Sequence, residues 1–371
     1  MELTNSSDYD EDPYDNYSYD CTKVGPEGLL STAYFQVGVY SMYLMIFLIA
    51  LTGNGLVCYV VQSSPRMSTV TNFFIGNLAI GDILMALFCV PFSCVPVLLQ
   101  HWPFGLQMCR LVSYTQAVSV LVSAYTLVAI SIDRYMNILW PLKPRMSKSA
   151  AKFIMLFVWL VALLTALPIP IVSTLEQPSP WHKHCKRCVC RESWWSPGAG
   201  QAYSLSLLSL QYVVPLVVLL YTYTSIAVVV WGKATPGEAE TTRDLRIAKS
   251  KIKMIKMMVM VVLVFTMCWL PFNILVLIWE AKPELSNWSF LPYMYFALHW
   301  LAMSHSCYNP LIYCWLNARF RSAFCVALNR LSCKKKPPQD QLLHRINTTC
   351  TTYITISAKQ RGKTSYREQK I

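Results

Sequence analysis

Seven long apolar blocks, at roughly 34–62, 70–99, 106–133, 151–173, 201–231, 254–279 and 290–316, decide most of what this chain can fold into. Each is long enough, as a helix rising 1.5 Å per residue, to cross a hydrocarbon core about 30 Å thick. Inside a bilayer the backbone must satisfy its own hydrogen bonds, so each block is expected to be a helix. Only 14% of the 371 residues are charged, against about 25% in soluble domains. Buried helices of a soluble protein would need neither this length nor this repetition. The expected fold is therefore all-α, an integral membrane bundle of seven helices over 34–316. Residues 1–33 form an acidic leader segment, 317–333 a short amphipathic helix, and 334–371 a polar tail.

Charge sets the orientation. The segments after spans one, three, five and seven, with Lys152 and Lys256 at the adjoining span ends, hold 25 of the 32 Lys and Arg. Lys and Arg accumulate on the cytoplasmic side, which predicts an extracellular N-terminus and a cytoplasmic C-terminus. The same asymmetry accounts for the net charge of +13 without a nucleic-acid partner. No cleavable signal is visible, because the first 33 residues are acidic and polar. Span one is then its own insertion signal.

The flanks carry modification signals. Residues 1–33 are acid-rich and poor in apolar residues, and are expected to be disordered. Asn5 and Asn16 open glycosylation sequons on the outer side, as does Asn287 in the outer loop 280–290. Asn347 fits the same pattern on the wrong side, so topology and not the motif decides. Tyr9, Tyr14, Tyr17 and Tyr19 lie among acids and suit either sulfation or a plain solvated arm. Past span seven, Phe320, Phe324, Leu328 and Leu331 share one helical face flanked by basic residues. This predicts a helix lying on the inner leaflet, with Cys325 and Cys333 as palmitoylation sites.

Cys21, Cys109, Cys185, Cys188 and Cys190 face the oxidising exterior, where disulfides persist. The loop "HKHCKRCVC" could also suggest zinc, but disulfides suit an extracellular loop better. Connectivity does not follow from sequence. Cys185 and Cys188 can pair with each other or with Cys21.

Ionisable groups within spans are costly and mark function. Asp82 lies in span two, Asp133-Arg134-Tyr135 closes span three, and Glu280 ends span six. Among the motifs there is no metal grid, nucleophile elbow, phosphate loop or dinucleotide fingerprint. No enzyme chemistry is therefore assigned.

These marks, taken in order, resemble the rhodopsin-like (class A) G-protein-coupled receptors over residues 30–333. They are Gly53-Asn54, "NLAIGD" ending at Asp82, Cys109 placed 25 residues before Arg134, "DRY", Trp159, Pro215, "CWLP" at 268–271 and "NPLIY" at 309–313. The resemblance implies an outer ligand pocket and inner coupling to a heterotrimeric G protein, with arrestin and a receptor kinase as further cytoplasmic partners. It implies a sodium site at Asp82, Ser123 and Asn309, and an activation switch of Trp269, Pro271, Phe265 and Pro215. Asp133, Arg134, Tyr135, Tyr223 and Tyr313 would form the G-protein coupling end. Proline frees a carbonyl and kinks a helix, so Pro271 suits a hinge. Three positions depart from the pattern. Lys251 stands where an acid often pairs with the span-three arginine, His305 where Asn or Ser is common, and Ala124 is smaller than usual.

Trp269, Asn273, Val276 and Glu280 share one face over three turns, with Glu280 about 16 Å above Trp269. Gln116 stands where amine receptors of the family carry an Asp. Gln116 and Gln211 suit an amide, Glu280 an arginine, and Phe272, Tyr295 and His299 an aromatic ring. Alternatives remain open: the glutamines could bond helix backbone, Glu280 could pair with Lys282, and Asn273 could cap the carbonyl freed near Pro271. Together these groups describe an amidated peptide ending in Arg-Tyr or Arg-Phe. The chain resembles neuropeptide Y-type receptors in Gln116, Gln211 and Glu280. It resembles invertebrate RYamide receptors more closely, in segments such as "KATPGEAETTRD" and "INTTCTTYITISA". In that group the bridging cysteine precedes an acidic, Trp-containing stretch, which implies a Cys109–Cys190 disulfide. A channel using Asp82 and Asn309, or a non-signalling peptide scavenger, are the rival classes.

Overall fold

The computed structural model describes residues 21, 32–63, 67–140, 142–232, 242–282, 284–285 and 288–332. Six helical spans are long and apolar enough to cross a membrane: Ala33–Ser63, Val70–Pro96, Gly105–Leu139, Lys148–Val172, Gly198–Val229 and Ile255–Ala281. The seventh, Leu291–Leu316, is 26 residues long and adequate in length. It is less apolar because His299, Ser304, His305, Ser306 and Asn309 line its buried side. Several helices outrun their apolar blocks. Span three runs on to Leu139, and span six belongs to a helix beginning at Thr242.

Local chemistry sets the ends and bends. Thr69 and Ser147 cap spans two and four by accepting from the backbone N–H of Asn72 and Ala150. Spans two and five each contain a π-turn, Met85–Cys89 and Ser209–Val213, just before Pro91 and Pro215. A proline cannot donate to the carbonyl four residues earlier. Those carbonyls, of Leu87 and Gln211, fall within the two π-turns, which absorb the mismatch.

Small residues and shared polar groups hold the spans together. A side chain at Gly53 would meet Pro310 at 3.0 Å, so only glycine lets spans one and seven approach this closely. Asn77 donates to Thr126 Oγ1 at 2.8 Å and accepts from Trp159 Nε1 at 2.9 Å, linking spans two, three and four. Asn54 donates to the carbonyls of Ala50 and Ser306, each at 2.9 Å. The outer faces stay apolar: Phe153, Leu156 and Phe157 of span four are all exposed, as a lipid-facing surface requires.

One end of the bundle carries a hairpin of β1 (Ser173–Glu176) and β2 (Val189–Glu192), antiparallel with Leu175 opposite Cys190. Cysteine spacing predicted a tethered loop there, and the strands are an addition. Cys109 of span three is disulfide-bonded to Cys190 of β2, and Cys21 to Cys185. Of the open pairings, Cys21 is thus the partner of Cys185, and Cys188 is a free thiol. With Cys185 and Cys190 both in disulfides, the loop's cysteines do not form a zinc site.

The helix after span seven, Ala318–Ser332, lies against the other end. Phe320 and Phe324 are buried, with the Phe320 ring 5.6 Å from that of Tyr313. Leu328 is exposed, so the apolar face is divided between the bundle and the surroundings.

Candidate ligand-binding and coupling sites

At the hairpin end, spans six and seven build an aromatic wall. The Phe272 ring lies 6.4 Å from Trp269, 5.7 Å from Tyr295 and 5.5 Å from His299. Tyr295 and His299 stack at 5.5 Å, one helical turn apart. His299, read from sequence as a contact residue, is 2% exposed, and its Nδ1 is 2.8 Å from Tyr43 Oη. It therefore stands behind the wall and fixes Tyr295 and Phe272 from span one. Phe272, Asn273, Val276, Tyr295 and Glu280 are half-buried along the same side.

One of the two glutamines reaches across to span three. Gln211, on the span-five π-turn, donates to the carbonyl of Ala117 at 3.2 Å, beside Gln116. The backbone alternative thus accounts for the NH2 of Gln211 and leaves its oxygen as an acceptor. At the rim, Glu280 has no cation or hydrogen-bond partner among the described residues, so the alternative pair with Lys282 does not form. Its charge instead acts on Glu192 of β2. Loss of bulk water around Glu192 pushes its carboxyl up and Glu280 adds to the rise, while Trp194, donating at 3.0 Å, pulls it down. Sequence reading missed Glu192, since nothing in "VCRESWW" says which way the loop folds back.

In the bundle centre, Asp82 is 1% exposed. Asn309 Nδ2 donates to Asp82 Oδ2 at 2.8 Å, joining two of the three residues expected to hold sodium. Ser123, the third, presses its hydroxyl against Gly81, where an added Cβ would meet it at 2.8 Å. The other carboxylate oxygen of Asp82 faces His305 Nε2 at 3.4 Å. His305 Nδ1 is 2.9 Å from the carbonyl of Ala302, and His305 Nε2, Asp82 Oδ1, Asn54 Oδ1, Ser119 Oγ and Ser306 Oγ are buried without a hydrogen-bond partner among the described residues. Above Asp82, Trp269 Nε1 is 3.3 Å from His305 Nδ1, and the Phe265 ring is 5.7 Å from that of His305. Pro215, Ala124 and Phe265 are buried around the same level.

At the opposite end, Arg134 donates to Asp133 and across to Thr71 Oγ1 of span two. Asn137 Nδ2 holds the second oxygen of Asp133 at 2.9 Å. Tyr223 lies within electrostatic reach of Arg134, and Tyr313 of Tyr223. Tyr135 packs beside Tyr221, with ring centres 6.1 Å apart.

The family model described as 7 transmembrane receptor (rhodopsin family) matches residues 53–313. The chain belongs to this family. It is therefore a multi-pass membrane receptor and not an enzyme. Among curated proteins it is 55% identical to the RYamide receptor of Drosophila melanogaster, over 94% of this chain and 78% of that one. It is 53% identical to the RYamide receptor of Tribolium castaneum, over 87% of this chain and 89% of that one. The tachykinin-like peptides receptor 99D of Drosophila melanogaster is 38% identical, over 75% of this chain and 54% of that one.

Within this receptor, Thr71 and Glu192 are site residues that sequence motifs did not flag. Thr71 lies at the start of span two, 62 residues before its partner Asp133, and reads there as an ordinary helix-start residue. Asn5, Asn16, Asn287 and Cys333, expected to be modified, lie outside the described residues. Cys325 is half-buried on the helix after span seven.

Proposed function

We propose that this receptor stands in the plasma membrane with its N-terminus outside and is activated by an amidated neuropeptide ending in Arg-Tyr-amide. The observation that carries the proposal is the uncompensated acid at the rim, Glu280 within electrostatic reach of Glu192, on the helix that also carries Trp269 and Phe272. A guanidinium is the natural partner for Glu280, since its planar fork meets a carboxylate in two parallel bonds. A terminal carboxamide both donates and accepts, so it can donate to the free oxygen of Gln211 and exchange bonds with Gln116. The terminal ring would pack on Phe272 and Tyr295. The identity to two RYamide receptors supports the same ligand class.

Binding would press on Trp269 at the pocket floor. Pro271, two residues on, interrupts the helix ladder and lets the lower part of span six swing. That movement would open a groove beside Arg134, Tyr223 and Tyr313 for a heterotrimeric G protein. Arrestin and a receptor kinase would act on the same face and on the Thr- and Ser-containing tail. Palmitoyl groups on Cys325 and Cys333 would anchor the final helix, and glycans on Asn5 and Asn16 would face outward.

The test is a panel of amidated peptides applied to cells expressing the receptor, read by calcium and cAMP. RYamide peptides should act at the lowest concentrations. A panel in which only Arg-Phe-amide or neuropeptide Y-like peptides respond would move the ligand to those classes. Silence to every amidated peptide would overturn the proposal.

A further inference from the structure

We propose that Trp194 is a positioning residue for the peptide site, a role that rests on the amidated-peptide reading above. It holds Glu192 of the hairpin towards Glu280 of span six, so that two carboxylates grip one peptide guanidinium. Trp194 Nε1 donates to Glu192 Oε2 at 3.0 Å. Glu192 Oε1 and both carboxylate oxygens of Glu280 have no hydrogen-bond partner or cation among the described residues. The two acids nevertheless lie within electrostatic reach of each other. Like charges held together are unfavourable until a cation comes between them. A guanidinium suits that place, because its five donors lie in one plane and present more than one edge to a carboxylate.

Packing from spans four and five fixes the indole. The Trp194 ring lies 4.9 Å from that of Tyr203 and 5.4 Å from that of Trp195. Tyr203 Oη in turn donates to the carbonyl of Thr165 in span four at 3.0 Å. Gly200, near the start of span five, lies so close that an added Cβ would meet Trp194 Cδ1 at 3.0 Å. The backbone between Glu192 and Trp194 is held too, since the N–H of Ser193 donates to the carbonyl of Val172 at 2.8 Å. A chain of contacts thus runs from Thr165 through Tyr203 and Trp194 to Glu192. Glu192 is itself exposed, and the indole is the one side-chain donor it has among the described residues. A carboxylate already held in its binding rotamer loses less entropy when the ligand arrives.

Competition binding with an arginine-containing amidated peptide and its citrulline analogue separates this role from packing. Trp194→Phe keeps a ring against Gly200 and Tyr203 and removes the donor. It should weaken the arginine peptide roughly three- to tenfold, within the worth of a hydrogen bond to a charged group. In a Glu192→Ala background the same change should cost nothing further, because residues that act through one another are not additive. The citrulline analogue should bind both Trp194 forms alike. If Trp194→Phe does not reach the surface, Gly200→Ala, which presses on the indole from span five, gives the same comparison. Equal losses with and without Glu192 would reduce Trp194 to a packing residue, and no loss with Glu192 present would overturn its role outright. Failure of every amidated peptide to bind the wild-type receptor would instead overturn the ligand reading, and the inference with it.

Discussion

Arg134 of span three reaches across to Thr71 Oγ1 of span two, while Asp133 grips the same guanidinium. The arginine is thereby held sideways, although Lys251 stands where the family often supplies a restraining acid. A hydrogen bond to a charged group contributes about 1.5–3 kcal/mol, and 1.4 kcal/mol is about a tenfold shift.

Thr71→Val should therefore raise ligand-independent G-protein activation roughly ten- to a hundredfold. Basal nucleotide exchange in membranes measures this. A fall in basal exchange would mean that the Thr71 bond supports the active arrangement instead.

Glu280→Gln should weaken an arginine-containing amidated peptide by roughly 30- to 100-fold, the worth of a charge-assisted pair. The citrulline analogue, which lacks the charge, should lose far less. Competition binding with the four combinations closes the cycle, and equal losses would separate Glu280 from the peptide arginine.

Glu192 gives the site a pH dependence. Its carboxyl is pushed up, first because neighbouring protein displaces bulk water around it, although one face stays exposed, and then because Glu280 repels its charge. The sign follows from the charge: as pH falls through this raised value, Glu192 becomes neutral before an ordinary glutamate would, and attraction for a basic peptide is lost. The same raised value means that Glu192 opposes folding above it and ceases to do so below it. Affinity measured from about pH 7.5 down to about pH 5 should decline in the wild type. Glu192→Gln should start lower and decline less over that range.

Cys21 and Cys185 join the leading segment to the hairpin loop, whereas Cys109 and Cys190 pin the hairpin to span three. A Cys21→Ser, Cys185→Ser protein should reach the cell surface and bind peptide more weakly. Cys109→Ser should lose surface expression, because removing a structural disulfide costs about 2–5 kcal/mol. Surface labelling and saturation binding distinguish the two outcomes.

Trp159→Phe removes the donor from Asn77 Oδ1. Bonds between spans are worth about 0.6–2 kcal/mol, so the melting temperature should drop by a few degrees. Asn77→Ala in the Trp159→Phe background should add less than it costs alone.

The sequence by itself determined the elements that depend on neighbours along the chain. Apolar runs fixed seven spans, and residues at 269, 273, 276 and 280 fixed one face of span six, whereas the π-turns before Pro91 and Pro215 were not read from the prolines. The helix after span seven was legible in the same way, from Phe320 and Phe324 one turn apart. Motif order was enough to assign the family, and family resemblance supplied the Cys109–Cys190 bridge.

Only the tertiary structure decided which groups meet across the bundle. It set His299 behind the aromatic wall against Tyr43, 256 residues away, where spacing alone made it a ligand contact. It brought His305 to Asp82, Thr71 to Arg134, and Glu192 to Glu280. Helical periodicity orders side chains around one axis, but the partner of a buried polar group depends on how two axes pack. That packing is set jointly by close approaches such as Gly53 against Pro310 and by the hairpin's tether to Cys109, neither of which any single segment encodes.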